Sequence, residues 1–145
     1  MPILNIIAID QGANGGIATN EGGGISAILM PSGMTAICDT LHDIKLPDQI
    51  AYIERVGNYV AGNAGPSAAK FARHCGHIEA ALYMLGIPTI EVTPKTWMKA
   101  VGPFPKDKSA RKKAIKEAMA RRYPNLKVTL KTADALGILT YAMEL

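Results

Sequence analysis

The opening stretch of this chain leaves it little choice of fold. Ile3-Leu4-Asn5-Ile6-Ile7-Ala8-Ile9 is an apolar run of strand length, and Gln11-Gly12-Ala13-Asn14-Gly15-Gly16 is a glycine-rich turn. Ile17-Ala18-Thr19 begins a second strand, and Glu21-Gly22-Gly23-Gly24 turns again into Ile25–Met30. Connections this short cannot cross over a sheet, so the three strands are expected to form an antiparallel meander.

The remaining segments alternate in type. Met34–Leu41 suits a short helix and Asp48–Glu54 a fourth strand. Gly57–Gly65, with three Gly and two Asn, reads as a loop. The helix expected over Ser67–Leu85 carries an apolar stripe at Phe71, Cys75, Ile78, Leu82 and Leu85, and Gly86 stops it. Pro88–Val92 is a fifth strand. Thr93-Pro94 opens a short helix that Gly102 ends. Lys108–Tyr123 is a basic helix halted by Pro124, and Thr132 is expected to cap a last helix, Ala133–Leu145. The fourth and fifth strands flank a helix and can pair in parallel. The expected architecture is α/β: a mixed five-stranded sheet, antiparallel through its first three strands and parallel for its last two, with helices on both faces. At 145 residues it makes one domain, residues 1–145.

No apolar run approaches the ~20 residues of a membrane span. The first apolar stretch lacks a basic leader, is broken by Asn5 and ends in Asp10, so it reads as a strand and not as a signal peptide. Cys38 and Cys75 have no metal-ligand spacing and do not build a disulfide framework, which points to a reduced, cytoplasmic setting. The formal net charge of +4 conceals a segregation. Twelve of the sixteen basic residues lie between Lys95 and Lys131, against only Asp107 and Glu117, a net of +10 set on a body of −6. Such a segment suits a polyanion lying along one face, or simply a solvated Lys-rich helix.

Three acids close or open apolar segments: Asp10 after the first strand, Glu54 at the end of the fourth, and Asp134 near the start of the last helix. Each alone has an ordinary explanation. Asp10 fits a turn, Glu54 an ion pair with Arg55, and Asp134 a helix dipole. Together they suit a shared divalent cation, because carboxylates beside apolar strands need compensating charge and Mg²⁺ takes hard oxygen ligands. Parallel pairing of the first and fourth strands would bring Asp10 and Glu54 out at the carboxyl ends, with Asp134, at the second or third helical position, approaching the same spot. Two ions about 4 Å apart, bridged by one acid, can activate water and stabilise a leaving 3′-oxygen. The glycines after Asp10 would let a phosphate backbone come close.

Ile7-Ala8-Ile9-Asp10-Gln11-Gly12 with Gly15-Gly16-Ile17-Ala18, then Tyr52-Ile53-Glu54, then Thr132-Ala133-Asp134-Ala135-Leu136-Gly137-Ile138 resembles the RuvC-like Holliday junction resolvases of the RNase H-like superfamily. The resemblance spans nearly the whole chain and is nearer the phage-type branch. It implies an RNase H-like nuclease that resolves four-way and other branched DNA. It also implies a homodimer using Mg²⁺ or Mn²⁺, with two ions held by Asp10, Glu54 and Asp134. The family's fourth acid stands three residues before the last Asp, where this chain has Lys131. An ammonium there either contacts the scissile phosphate or marks a weakened enzyme.

The family also carries lysines between the fifth strand and the last helix. Lys108 resembles one of these, and Lys99 or Lys95 another. The family's aromatic after the strand-end Glu is replaced by Gly57, so Tyr59 is the substitute candidate for stacking on a base. The candidate catalytic set is therefore Asp10, Glu54, Asp134, Lys108 and Lys131. The candidate DNA contacts are Gly12, Asn58, Tyr59, Asn63, Lys95, Lys99, Lys106, Arg111 and Lys112. His74 and His77 read as helix-surface or packing residues, and Trp97 as packing for the short helix. The residues also leave open an RNase H that cuts RNA in hybrids and a non-catalytic junction-binding protein. An actin-like ATPase needs two domains, which 145 residues do not supply.

Overall fold

In the computed structural model, which describes residues 4–55 and 65–145, the strand β1 (Asn5–Asp10) runs through the middle of one five-stranded sheet. The other strands are β2 (Gly16–Thr19), β3 (Ser26–Leu29), β4 (Gln49–Glu54) and β5 (Thr89–Val92), in the order β3-β2-β1-β4-β5. β1–β2 and β2–β3 are antiparallel, and β1–β4 and β4–β5 are parallel. This is the mixed sheet expected from the short glycine turns and the longer later connections.

The pleat sorts each strand's side chains onto two faces. Ile6 and Ala8 of β1, Ala18 of β2 and Tyr52 of β4 join one core. There they meet α3 (Pro94–Val101), α4 (Lys108–Arg122) and α5 (Leu130–Met143) through Trp97, Ile115, Met119, Leu136 and Ile138. Ile7, Ile9, Ile17, Ala51 and Ile53 face the opposite core, covered by α1 (Met34–Asp43) and α2 (Pro66–Met84) through Ile37, Leu41, Ile78 and Leu82. The consequence for function is one of parity. Asp10 shares its face with Ala8, and Glu54 with Tyr52, so both acids belong to the α3–α5 side. Of the stripe expected on the Ser67–Leu85 helix, Ile78 and Leu82 are buried; Phe71, Cys75 and Leu85 are only half-buried.

Two further details place the sheet's carboxyl end. A Cβ on Gly15 would fall 1.9 Å from the Asp10 carbonyl oxygen, and one on Gly16 3.0 Å from that of Lys131. Glycine therefore lets the first turn of α5 lie directly against the β1–β2 corner. Beyond β2, the buried Asn20 extends the strand pairing. Its Oδ1 accepts from the Ile6 amide at 2.6 Å and its Nδ2 donates to the Leu4 carbonyl at 3.1 Å.

The last helix starts earlier than the sequence suggested. Its N-cap is Thr129, not Thr132, and the two form a capping box: the Thr132 amide donates to Thr129 Oγ1 at 3.2 Å, and the Thr129 amide to Thr132 Oγ1 at 3.1 Å. A threonine at the third helical position can fill the reciprocal role usually taken by Glu or Gln. Asp134 is thus the fifth residue of α5 and projects from one turn inside it, not from the helix tip. Thr129→Ala should lower unfolding stability by about 1 kcal/mol through loss of this cap. Urea denaturation followed by circular dichroism will measure it, and an unchanged midpoint would contradict the capping role.

Candidate active site

β1 and β4 end side by side. Ile9 pairs with Ile53, so the next residues, Asp10 and Glu54, leave adjacent strand ends on the same face. α5 lies across that face and carries Asp134. Burial pushes the Asp10 carboxyl up to about 8, and the charges of Asp134 and Glu54 push it the same way. Glu54 is raised by burial, with the Trp97 hydrogen bond opposing and the Asp134 charge adding to the rise. Asp134 is raised by burial, with Lys112 and then Arg111 opposing. The three acids therefore share one electrostatic environment that opposes their ionisation. Among the described residues, no three His, Cys, Asp or Glu side chains stand close enough to enclose a cation as they are. The donor set still fits one chemically: three hard oxygen donors whose ionised forms the site penalises until a positive charge arrives.

Glu54 and the turn after Asp10 are held by neighbours distant in sequence. Trp97, fully buried, donates its indole N–H to Glu54 Oε2 at 2.7 Å. The Glu54 carbonyl accepts from Gln11 Nε2 at 3.1 Å. Arg55, the ordinary alternative partner for Glu54, reaches Glu91 at 3.8 Å instead, because successive strand residues point to opposite faces. The turn after Asp10 is tied to α2: the Gly12 amide donates to His74 Nε2 at 2.9 Å, and Phe71 lies against Gly12. The Gly12 N–H is thus committed within the protein. His74 is an acceptor here, and burial, reinforced by His77, holds its pKa below the ordinary histidine value. A fully buried indole needs an acceptor, and that was the one available sign that Trp97 does more than pack.

The expected cations are distributed unevenly. Lys112 acts on both Asp10 and Asp134, and Arg111 on Asp134. Arg111 also donates to the Lys106 carbonyl at 2.9 Å, while Asp107 caps α4 by accepting from the Ala110 amide. Lys108 is exposed in the first turn of α4, and Lys131 is exposed in the first turn of α5. Lys95 and Lys99 are exposed on α3, and Lys106 just before α4. Asn58, Tyr59 and Asn63 lie outside the described residues. Among the described residues no helix is long and apolar enough to cross a membrane.

The sheet order, its pairing and the helices on both faces are those of an RNase H-like fold. The particular likeness is to RuvC. The chain superposes on Thermus thermophilus RuvC in complex with a Holliday junction substrate with TM-score 0.64 and 16% identity, covering 97% of this chain and 94% of that one. A second structure of Thermus thermophilus RuvC gives TM-score 0.61 and 17% identity over the same shares. No family model and no curated protein matches the chain. The described residues thus share the fold of RuvC.

The raised acids give the stability of the metal-free protein a definite pH dependence. An unfolded aspartate titrates near ~3.9, so the folded chain holds the Asp10 proton more tightly than the unfolded chain does. Stability falls as pH rises from that value through about 8, and Glu54 and Asp134 act in the same direction. His74, with its lowered pKa, works oppositely below about 6.5, so the clean window lies above that. In chelator, the melting temperature should decline between about pH 6.5 and about pH 8.5, and Asp10→Asn should flatten the decline. A wild-type melting temperature that rises across this window would contradict the burial of Asp10.

Proposed function

We propose that this protein is a structure-selective endodeoxyribonuclease that resolves four-way and related branched DNA by metal-dependent phosphodiester hydrolysis, acting as a homodimer inside the cell. The observation that carries the reading is the charge-stressed trio of Asp10, Glu54 and Asp134 at the carboxyl end of a RuvC-type sheet. A divalent ion such as Mg²⁺ or Mn²⁺, held by these three acids, would supply the Lewis-acid charge that lowers the barrier to phosphodiester hydrolysis.

The chain's own residues supply positioning and charge. Trp97 and Gln11 hold Glu54 by its side chain and its backbone. Lys112 and Arg111 present positive charge beside Asp134, where a phosphate would otherwise meet only acids. Further out, Lys108, Lys113 and Lys116 continue the basic character of α4, which suits the sugar–phosphate track of one DNA arm. Two-fold symmetric copies would place one such site at each of two opposed strands of a four-way junction.

Lys131, in the place of a fourth acid, supports a second reading: a protein that binds junctions without cutting them. One assay separates the readings. Purified protein is incubated with a four-way junction, a linear duplex and an RNA–DNA hybrid, with Mg²⁺ or Mn²⁺. Junction cleavage is the expected outcome, abolished in Asp10→Asn with junction binding retained or tightened, because a negative charge near phosphate is removed. Binding without cleavage in either metal supports the Lys131 reading, and preferential cutting of the hybrid supports an RNase H. Undiminished cleavage by Asp10→Asn would remove the proposed site. Lys112→Ala should weaken junction binding and reduce the slope of log affinity against log salt by about 1, read by titration at several salt concentrations.

A further inference from the structure

Trp97 is the chain's one tryptophan, and it is fully buried. Its ring is fixed by an unusual vacancy in α5. A Cβ on residue 137 would stand 2.4 Å from the ring's Cζ3 and 3.0 Å from its Cη2, so only glycine there admits the indole. A glycine inside a helix costs roughly 1 kcal/mol relative to alanine, and at Gly137 the void is filled by this ring. α3, which carries Trp97, is anchored by Thr93: its Oγ1 accepts from the Thr96 amide at 3.2 Å, and its carbonyl accepts from the Trp97 amide at 3.3 Å. The indole N–H is thus a donor with almost no freedom, and it meets Glu54 Oε2 at 2.7 Å. Oε1 of Glu54 has no hydrogen-bond partner among the described residues.

We infer that Trp97 is a positioning residue that divides the Glu54 carboxylate, taking Oε2 for the indole and leaving Oε1 as the oxygen offered to a divalent cation. An unrestrained glutamate has three side-chain torsions and two equivalent oxygens to distribute. The indole removes that freedom before any ion arrives, in the way outer partners orient metal ligands generally. Gly137 belongs to the same device. It lies three residues after Asp134, on the same side of α5, so one helix presents one acid and seats the ring that aims another. The inference rests on the nuclease reading above, because it concerns how that site receives its ion.

The test uses the whole protein without DNA, with Mg²⁺ alone as the probe. In the wild type, Mg²⁺ binding by calorimetry should be accompanied by a change in indole emission with the same half-saturation, since the one tryptophan touches a ligand carboxylate. Trp97→Phe keeps an aromatic ring and deletes the N–H. It should bind Mg²⁺ about 10–100-fold more weakly. Its junction affinity in chelator should match wild type, and its cleavage rate should recover as Mg²⁺ is raised. A variant in which the indole merely filled space would lose thermal stability yet keep wild-type Mg²⁺ affinity, and that result would overturn the inference. Should Trp97→Phe fail to fold, the wild-type titration decides: Mg²⁺ binding without any emission change overturns the inference as well. Absence of Mg²⁺ binding by the wild type is a separate outcome, which defeats the nuclease reading and this inference with it.

Discussion

The parallel pairing of β1 with β4 is the constraint from which the site follows. It sets Asp10 and Glu54 at neighbouring strand ends on one face, where burial and mutual repulsion both oppose their ionisation. Without that pairing each acid would be an ordinary strand-end residue, free to turn towards water. With it, the protein crowds acids into a partly buried space that holds their protons, an arrangement unfavourable to their ionised forms. The two cores on either side of the sheet supply the stability that this arrangement opposes.

α5 gives the site its third acid and much of its rigidity. Asp134 projects from within the helix, Gly137 makes room for the indole that holds Glu54, and Gly16 allows the helix to approach β2 backbone to backbone. A single element thereby relates two carboxylates from distant parts of the chain. His74 and Phe71 do the corresponding work from the opposite face, fastening the turn that follows Asp10. The site is therefore braced from both sides of the sheet, although its acids emerge on only one.

Much of this was legible in the residues. Short glycine turns between apolar runs dictate a meander, and strand-end acids in parallel neighbours mark a carboxyl-end site. The pattern stops being informative where the determinants are three-dimensional. Thr132 stands nearer the apolar run than the true cap, Thr129, and a Thr–Thr box has a weaker signature than Thr with Glu. Adjacency in sequence offers Arg55 as an ordinary ion-pair partner for Glu54, whereas the pleat turns Arg55 to Glu91. Trp97 meets Glu54 across 43 positions and His74 meets Gly12 across 62, and no local periodicity reports contacts of that span. Among the basic residues, composition located the cationic segment, and only the helix orientation distinguishes Lys112 from Lys108 as the charge that reaches the acids.

The way α4 is attached has a mechanical consequence. Its buried residues are Ile115 and Met119, and it rests chiefly on α5, with no strand among its main neighbours. β1, by contrast, is paired along both edges and covered by a core on each face. Asp10 is thus mounted on the doubly paired central strand, and the Lys112 ammonium that acts on it on a helix held chiefly by another helix. Any tilt of α4 therefore moves the Lys112 charge relative to Asp10 without disturbing the strand pairing that holds that acid.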